Sequence, residues 1–501
     1  MYKIYTYSKY FFYFFLIFTL NLALQNYEGQ KYIYLIFSIV SIFHLLYCLE
    51  YSSYFVDKFM AILIWLGFWF KFSVEVGYSI WGKVHFREGS GGLFDYTGNS
   101  YDEVLIISTI AILSLILSSF LVRKFFNIYN FDFKKDPNEF YQKNRIKIYS
   151  LYLSVVVFFG LTNFYYGFYQ KGMMPNENFS IFVSYIYRWL LLFGFTSAGC
   201  VLLNFEINSS THHKKYFLLV FIESCVSNIS LISRSAIFNL SSLIIGLIFY
   251  LKKNIIKKEF FLFLIFFSII IFLISFKIID NERKKIYYSE YNNPSIENIK
   301  IASLDLNFIP EYSKLKEGLF GEILYLVCNR WVGIDALMAI NSIDNEIIYN
   351  LHEEEKTRLG FELLKESFSE EFSPNRPSFY EDNFLIKNKN LILNEDLSER
   401  NNIIILPGII AYLYISGSIF FLFFSIIFIM FFCYFLEYLY FIFGGKNVFL
   451  CSFMGYVFAS RLIHSGYLVS NNFKYIISLL INLLVIVIII KVFKHLNKHT
   501  N

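Results

Sequence analysis

The chain has 501 residues, of which 56% are hydrophobic and 17% are charged, and its formal net charge is +5. Soluble domains carry about 25% charged residues, so this composition excludes a string of soluble domains and indicates one polytopic membrane domain. The modest positive charge gives no reason to expect a nucleic-acid partner.

Apolar runs of membrane-spanning length lie on both sides of one polar insert. A helix needs about 20 residues to cross a hydrocarbon core of about 30 Å. The sequence therefore predicts an all-α polytopic integral membrane protein with about twelve transmembrane helices and one large outer loop. The predicted spans are 10–24, 32–49, 59–73, 103–122, 148–165, 180–203, 217–233, 235–251, 260–278, 406–433, 447–467 and 473–490.

This pattern divides the chain into three parts. Residues 1–277 hold about nine transmembrane helices, residues 278–402 form the large extracytoplasmic loop, and residues 403–501 hold about three further helices. The first run also fits a signal peptide, because lysines precede a short apolar core. The second span follows so closely that we expect an uncleaved first helix.

The orientation follows from the Lys/Arg bias of the short loops, which is higher on the cytoplasmic side. With the N-terminus inside, few basic residues fall in the short outer loops: Lys31, Lys83, Arg87 and Lys171. The inner loops and tail hold many more: Arg123, Lys124, Lys134, Lys135, Lys143, Arg145, Lys147, Lys214, Lys215, Lys252, Lys253, Lys257, Lys258, Lys491, Lys494 and Lys498. Both termini are therefore expected in the cytoplasm, with the insert outside.

One apolar stretch of the insert, 318–340, is long enough to be mistaken for a span. It contains Glu322, Arg330 and Asp335, and charges at the bilayer centre are costly. We expect it to form a helix that lies at the outer surface. Arg330 and Asp335 flank Trp331, so the group is either an interfacial anchor or part of a site.

One charge lies deep inside each of two predicted spans, the sixth and the seventh. Arg188 and Glu223 both lie roughly 12 Å from a membrane face at 1.5 Å per residue. Charges at such depth pair with each other or line a polar cavity. An ion pair between neighbouring helices and a contact with substrate are both consistent with this pattern.

Three further basic residues map to the outer face. Arg234 lies between two serines where two spans meet, and Arg461 and His464 share one helix face near the end of a span. Snorkelling to lipid headgroups explains a lone arginine at such a position. Binding of a phosphate group explains it equally well, because the guanidinium fork holds phosphate oxygens in pairs.

Several familiar motifs are missing from the sequence. It has no Walker loop, dinucleotide glycine motif, HExxH or Asp-x-Asp in an early outer loop, and its six cysteines have no paired spacing. These absences argue against ATP hydrolysis, zinc proteolysis and the usual metal-dependent sugar transfer from lipid phosphates. Neither a metal site nor a cofactor is expected.

The layout and three local stretches resemble the bacterial O-antigen or oligosaccharide repeat-unit polymerases, the Wzy family. The stretches are 233–237 (SRSAI), 330–335 (RWVGID) and 406–417 (LPGIIAYLYISG). In the last, Pro and Gly open the tenth span, and Gly417 is expected to permit close helix packing.

The resemblance implies inverting glycosyl transfer by a metal-independent glycosyltransferase of the bacterial cytoplasmic (inner) membrane. Its substrates would be undecaprenyl-diphosphate-linked glycans of O-antigen, capsule or exopolysaccharide, and a chain-length regulator protein is a candidate partner. Arg330, Asp335 and His464 are then the candidate catalytic residues, with Asp335 or His464 accepting the proton of the attacking hydroxyl. Arg234, Arg461, Arg188 and Glu223 are the candidate substrate-binding residues.

Two other functions fit the same features. An O-antigen ligase would use the same chemistry to pass the glycan to a different lipid acceptor. A lipid-linked oligosaccharide flippase is a transporter, for which paired half-repeats and short loops are expected. The large insert favours the polymerase or the ligase.

Overall fold

The computed structural model describes most of the apolar part of the chain and little of the insert. The described residues are 2–77, 94, 97–125, 138–170, 180–208, 214–233, 236–251, 263, 266–271, 273–275, 277–279, 281–282, 331, 333–347, 358, 361–362, 408–463 and 469–498.

The described residues form helices and short turns, and no strand occurs among them. The N-terminal helices are α1 (Tyr2–Asn26), α2 (Lys31–Tyr51), α3 (Phe55–Ile64), α4 (Lys71–Gly77), α5 (Gly98–Phe125), α6 (Glu139–Tyr166), α7 (Ile181–Trp189), α8 (Phe195–Asn208), α9 (Lys214–Ser230) and α10 (Ala236–Leu251). The later helices are α11 (Ile334–Ile347), α12 (Gly408–Tyr414), α13 (Ile419–Phe443), α14 (Val448–Ile463) and α15 (Val469–Lys498). Two π-helical segments, Trp65–Phe70 and Leu190–Gly194, join α3 to α4 and α7 to α8.

In the described part of the chain, six helices are long and apolar enough to cross a membrane: Lys31–Tyr51, Gly98–Lys124, Glu139–Tyr166, Phe182–Asn208, Ile419–Phe443 and Tyr475–Lys498. Shorter apolar helices are Tyr10–Asn26, Phe217–Ser230, Asn239–Ile248, Phe266–Ile279 and Val448–Ile463. Large apolar side chains are exposed along the long helices, for example Phe420, Phe424 and Phe428 of α13. Such a surface is suited to lipid, so the predictions of an all-α membrane protein and of a bilayer environment are confirmed.

The chain forms two compact units. Unit 1 comprises Met1–Asn127, Lys300–Tyr434 and Phe458–Lys474. Within it α2 packs against α5 and α3, α1 packs against α4, and α11 packs against α5 and α12. The loop between α1 and α2 is fixed by Asp102 at the start of α5, which accepts hydrogen bonds from the Tyr27 hydroxyl (2.7 Å) and from the backbone N–H of Gln30 (2.9 Å).

Unit 2 comprises Ile128–Ile299, Phe435–Val457 and Tyr475–Asn501. In this unit α9 packs against α6, α8 and α10. Buried polar side chains line α9 on several turns, and Glu223, Ser224 and Ser227 are each 0% exposed. A helix whose buried face is this polar must satisfy its groups within the protein.

The tenth predicted span, 406–433, does not form one helix. α12 ends at Tyr414, and α13 begins at Ile419 after a turn in which Gly417 has a φ of +67°. Glycine adopts this left-handed conformation without strain and commonly ends a helix. The Ser418 hydroxyl then accepts a hydrogen bond from Phe421 N (3.2 Å) and caps α13. No atom lies within 4 Å of a Cβ added at Gly417, so the expectation that this glycine permits close packing was wrong.

The helix predicted over 318–340, at the outer membrane surface, is described only in its last part. Residues 318–330 lie outside the described residues, and α11 begins only at Ile334. Ile334, Leu337 and Met338 are each 0% exposed, so the described part of this stretch is a buried helix of unit 1.

Candidate functional site

The most informative contact of unit 1 joins α4 to the start of α11. Lys71 Nζ lies 2.9 Å from Asp335 Oδ2, and the two side chains are 4% and 13% exposed. The same ammonium group donates a hydrogen bond to the carbonyl oxygen of Trp331 (3.3 Å). One buried cation therefore fixes two residues of the 330–335 stretch.

The π-helical segment directly before Lys71 makes this contact possible. A Cβ added at Gly333 would lie 2.4 Å from the carbonyl oxygen of Gly67, within the π segment. Only a glycine allows two backbones to approach so closely. π-helical segments often occur at functional sites, and this one adjoins both the glycine contact and the lysine.

The second carboxylate oxygen of Asp335 is free to receive another group. Oδ1 is buried and has no hydrogen-bond partner among the residues that the structure describes. Two turns further along α11, Asn341 Nδ2 donates to Glu103 Oε2 of α5 (3.1 Å). α11 is thus held at its first turn and near its middle. In the first turn, one oxygen of Asp335 is paired with Lys71 and the other has no partner among the described residues.

In unit 2 the buried carboxylate is Glu223, which is 0% exposed. Its oxygens lie 2.7 Å from the Ser227 hydroxyl and 3.1 Å from the Thr196 hydroxyl of α8. The Ser224 hydroxyl is more distant, at 3.5 Å.

The expected ion pair between Arg188 and Glu223 is not formed among the described residues. The Arg188 guanidinium lies over the ring of Tyr169, 5.5 Å from its centroid. Glu223 is level with Thr196, which lies about two helical turns beyond Arg188 and on the other side of the Leu190–Gly194 π segment. The prediction that the two charges pair was wrong. Counting residues from a membrane face gives only an approximate depth for each side chain, and it does not show which neighbouring helix the side chain points toward.

Arg188 belongs to a polar cluster near the end of α9. Asn163 Nδ2 donates to the hydroxyl of Ser230 (2.9 Å) and to the carbonyl of Tyr169 (2.9 Å). The following turn carries Ile232 at a φ of +49°. A β-branched residue is strained in this conformation, and such strain is concentrated at functional sites.

The remaining predicted site residues are less informative. Arg461 lies in the last turn of α14 and is partly buried. Arg330, Arg234 and His464 lie outside the described residues. Among the predicted residues, the structure therefore gives a defined polar environment to Asp335, Glu223 and Arg188.

Lys71 was not identified as a site residue from the sequence. Lys71 nevertheless interrupts the third predicted span, and a charge inside a span is the feature that identified Arg188 and Glu223. Two buried networks were also missed. Asp57 accepts hydrogen bonds from Ser52 (2.6 Å), Ser119 (2.7 Å) and Tyr434. In unit 2, Arg145 Nε lies 3.1 Å from Glu206 Oε2. These groups connect neighbouring helices, so we assign them structural roles.

No group of three or more His, Cys, Asp or Glu side chains in the described part of the chain is arranged to hold a metal ion. No protein-family model, curated protein or solved structure matches the chain. The fold and the buried charges therefore define the class: an all-helical membrane protein with ionisable groups inside both of its units.

Proposed function

We propose that this protein polymerises undecaprenyl-diphosphate-linked oligosaccharide repeat units at the outer face of the bacterial cytoplasmic membrane. The proposal includes about twelve spans, cytoplasmic termini and an extracytoplasmic insert. Its main support is the buried contact of Lys71 with Asp335 and the Trp331 carbonyl. Two residues of the stretch that carries the resemblance to the polymerases, Trp331 and Asp335, are thereby tied to Lys71 inside unit 1, and a fixed position of this kind is what a catalytic residue needs.

In the proposed reaction a hydroxyl group of one repeat unit attacks the anomeric carbon of another. A new glycosidic bond forms, the bond from the anomeric carbon to the diphosphate oxygen breaks, and undecaprenyl diphosphate leaves. The proton of the attacking hydroxyl passes to a base. Asp335 suits this role because Lys71 holds Oδ2 while Oδ1 has no partner among the described residues. His464 is the alternative base.

The leaving diphosphate gains negative charge as its bond breaks. Fixed cations in a site with little water stabilise such charge strongly, and arginine holds phosphate oxygens through paired N–H donors. We assign this role to Arg330, with Arg234 and Arg461 as further candidates. Arg188, whose guanidinium lies over Tyr169, would contact the glycan, because aromatic and guanidinium faces both suit sugar rings and their hydroxyls.

The test is complementation of a gene deletion, with surface glycan length as the measurement. Asp335→Asn removes the base but also leaves the buried Lys71 ammonium without its carboxylate partner. Glycan length is therefore compared at equal amounts of folded membrane protein, and we expect glycans of single repeat units. The matched control is Glu362→Gln, because Glu362 forms an exposed ion pair with Arg358 in the same insert. This variant is expected to restore full-length polymer.

The deletion strain also separates the alternative functions. Single-unit glycans on the final acceptor indicate a polymerase, a bare lipid acceptor indicates a ligase, and precursors trapped on the inner side indicate a flippase. Full-length polymer in the deletion strain would refute all three. Full-length polymer from Asp335→Asn would refute only the assignment of the base.

A further inference from the structure

Among the described residues, unit 2 contains three fully buried glutamates, Glu206, Glu223 and Glu437, and the first two have contrasting surroundings. Glu206 is 0% exposed and has a cation beside it, with Arg145 Nε 3.1 Å from Oε2. It also accepts a hydrogen bond from the Tyr141 hydroxyl (2.7 Å). Glu223 is equally buried, but the groups within hydrogen-bond distance of it are the hydroxyls of Thr196, Ser224 and Ser227.

No cation lies beside Glu223 among the residues that the structure describes. α9 packs against α6, α8 and α10, and the titratable side chains that interact with Glu223 from these helices are Tyr152 of α6 and Cys200 of α8. Neither of them carries a positive charge. The adjoining π segment, Leu190–Gly194, contributes only apolar residues and a glycine.

An ionised carboxylate without a cation is very costly in a low-dielectric interior, and such a group takes up a proton instead. We propose that Glu223 is a proton-binding site inside the membrane body of unit 2, where the proton replaces the cation that Glu206 obtains from Arg145. This inference does not depend on the proposed glycan chemistry.

The hydrogen-bond geometry fits a neutral carboxyl group. With the proton on Oε2, the carboxyl group donates to Thr196 Oγ1 at 3.1 Å, and Oε1 accepts from the Ser227 hydroxyl at 2.7 Å. Hydroxyl groups suit both positions because each can donate or accept. A larger cation would require several more oxygen ligands, and the described residues around Glu223 supply hydroxyls on only two helices.

The experiment is infrared spectroscopy of the full chain in lipid nanodiscs, with glutamate labelled by ¹³C so that protonated aspartates do not contribute. The measured quantity is the labelled carbonyl band of protonated carboxyl groups. We expect Glu223→Gln to lose the intensity of one carboxyl group from this band. Glu206→Gln is the matched control and should lose none, because the Arg145 guanidinium lies beside the Glu206 carboxylate.

Thr196→Val provides a second measurement that does not remove the carboxyl group. It deletes one hydrogen-bond partner while keeping the side-chain shape, so the Glu223 band should shift in frequency. An unchanged labelled band in both Glu223→Gln and Thr196→Val would overturn the proposal. A second result would also overturn it. If NaCl stabilised the wild-type protein more than choline chloride did, and Glu223→Gln abolished this difference, the site would hold sodium and not a proton.

Discussion

The ion pair between Lys71 and Asp335 links the proposed chemistry to the stability of unit 1. The two side chains are almost entirely buried, and removing one partner of a buried pair leaves an uncompensated charge. We therefore expect Lys71→Met to cost about 3–5 kcal/mol of stability, and Asp335→Asn in the same chain to recover part of that loss. Thermal or denaturant unfolding of the purified protein measures both.

A surface pair in the same chain is the control for this prediction. Arg358 and Glu362 are separated by 3.3 Å, but their side chains are 82% and 55% exposed. Exposed pairs contribute about 0–1 kcal/mol, so Arg358→Met should have little effect on unfolding. Equal losses in Lys71→Met and Arg358→Met would mean that the buried contact does not stabilise the start of α11.

Individual residues were predicted from the sequence where a charge interrupted an apolar run, which identified Asp335, Arg188 and Glu223. Their partners were not predictable, because hydropathy gives the depth of a residue only approximately and says nothing about the direction of its side chain. Lys71 carried the same signal, since it interrupts the predicted span 59–73, but its pairing with Asp335 emerged only from the three-dimensional contact. Hydroxyl partners such as Thr196 give no signal in a sequence, since serine and threonine are common in buried helices.

At the scale of elements, the contact between Gly333 and the π segment makes a second prediction. A Cβ added at Gly333 would lie 2.4 Å from the Gly67 carbonyl oxygen, and a backbone atom cannot move aside as a flexible side chain can. Gly333→Ala should displace α11 from Lys71, so that unfolding occurs under milder conditions and polymer is lost.

Gly417→Ala is the control for this prediction, because it measures the loss of stability on replacing a glycine where the new Cβ meets no other atom. Gly417 has a φ of +67°, and no atom lies within 4 Å of its added Cβ. Its substitution should therefore cost only the strain of the left-handed backbone, about 1–2 kcal/mol. A smaller loss of stability in Gly333→Ala than in Gly417→Ala would contradict the close contact between α11 and the π segment.

The helices themselves were largely predictable because about 20 consecutive apolar residues have few stable alternatives in lipid. The predicted spans 32–49 and 103–122 correspond to α2 and α5. Hydropathy did not locate the break at Gly417, since Ser416, Gly417 and Ser418 form a short interruption between two long apolar runs. It could not locate the two π segments either, because they differ from α-helix only in hydrogen-bond register.

At the scale of the whole molecule, the orientation predicted from loop charges can be tested by cysteine labelling. We expect a cysteine placed at Glu354 to react with a membrane-impermeant reagent added to intact cells, and one placed at Lys253 to react only after the membrane is opened. Labelling at Lys253 from outside would reverse the topology. It would also move the proposed site away from the face on which the polymer is made.

Reconstitution tests the central claim most directly. The purified protein in liposomes, given only the undecaprenyl-diphosphate-linked repeat unit, should produce a ladder of longer glycans and release undecaprenyl diphosphate. Arg330→Lys, which keeps the charge but loses the planar fork, should slow the ladder by about 10²–10³-fold. Intact single units after incubation with folded wild-type protein would contradict the account.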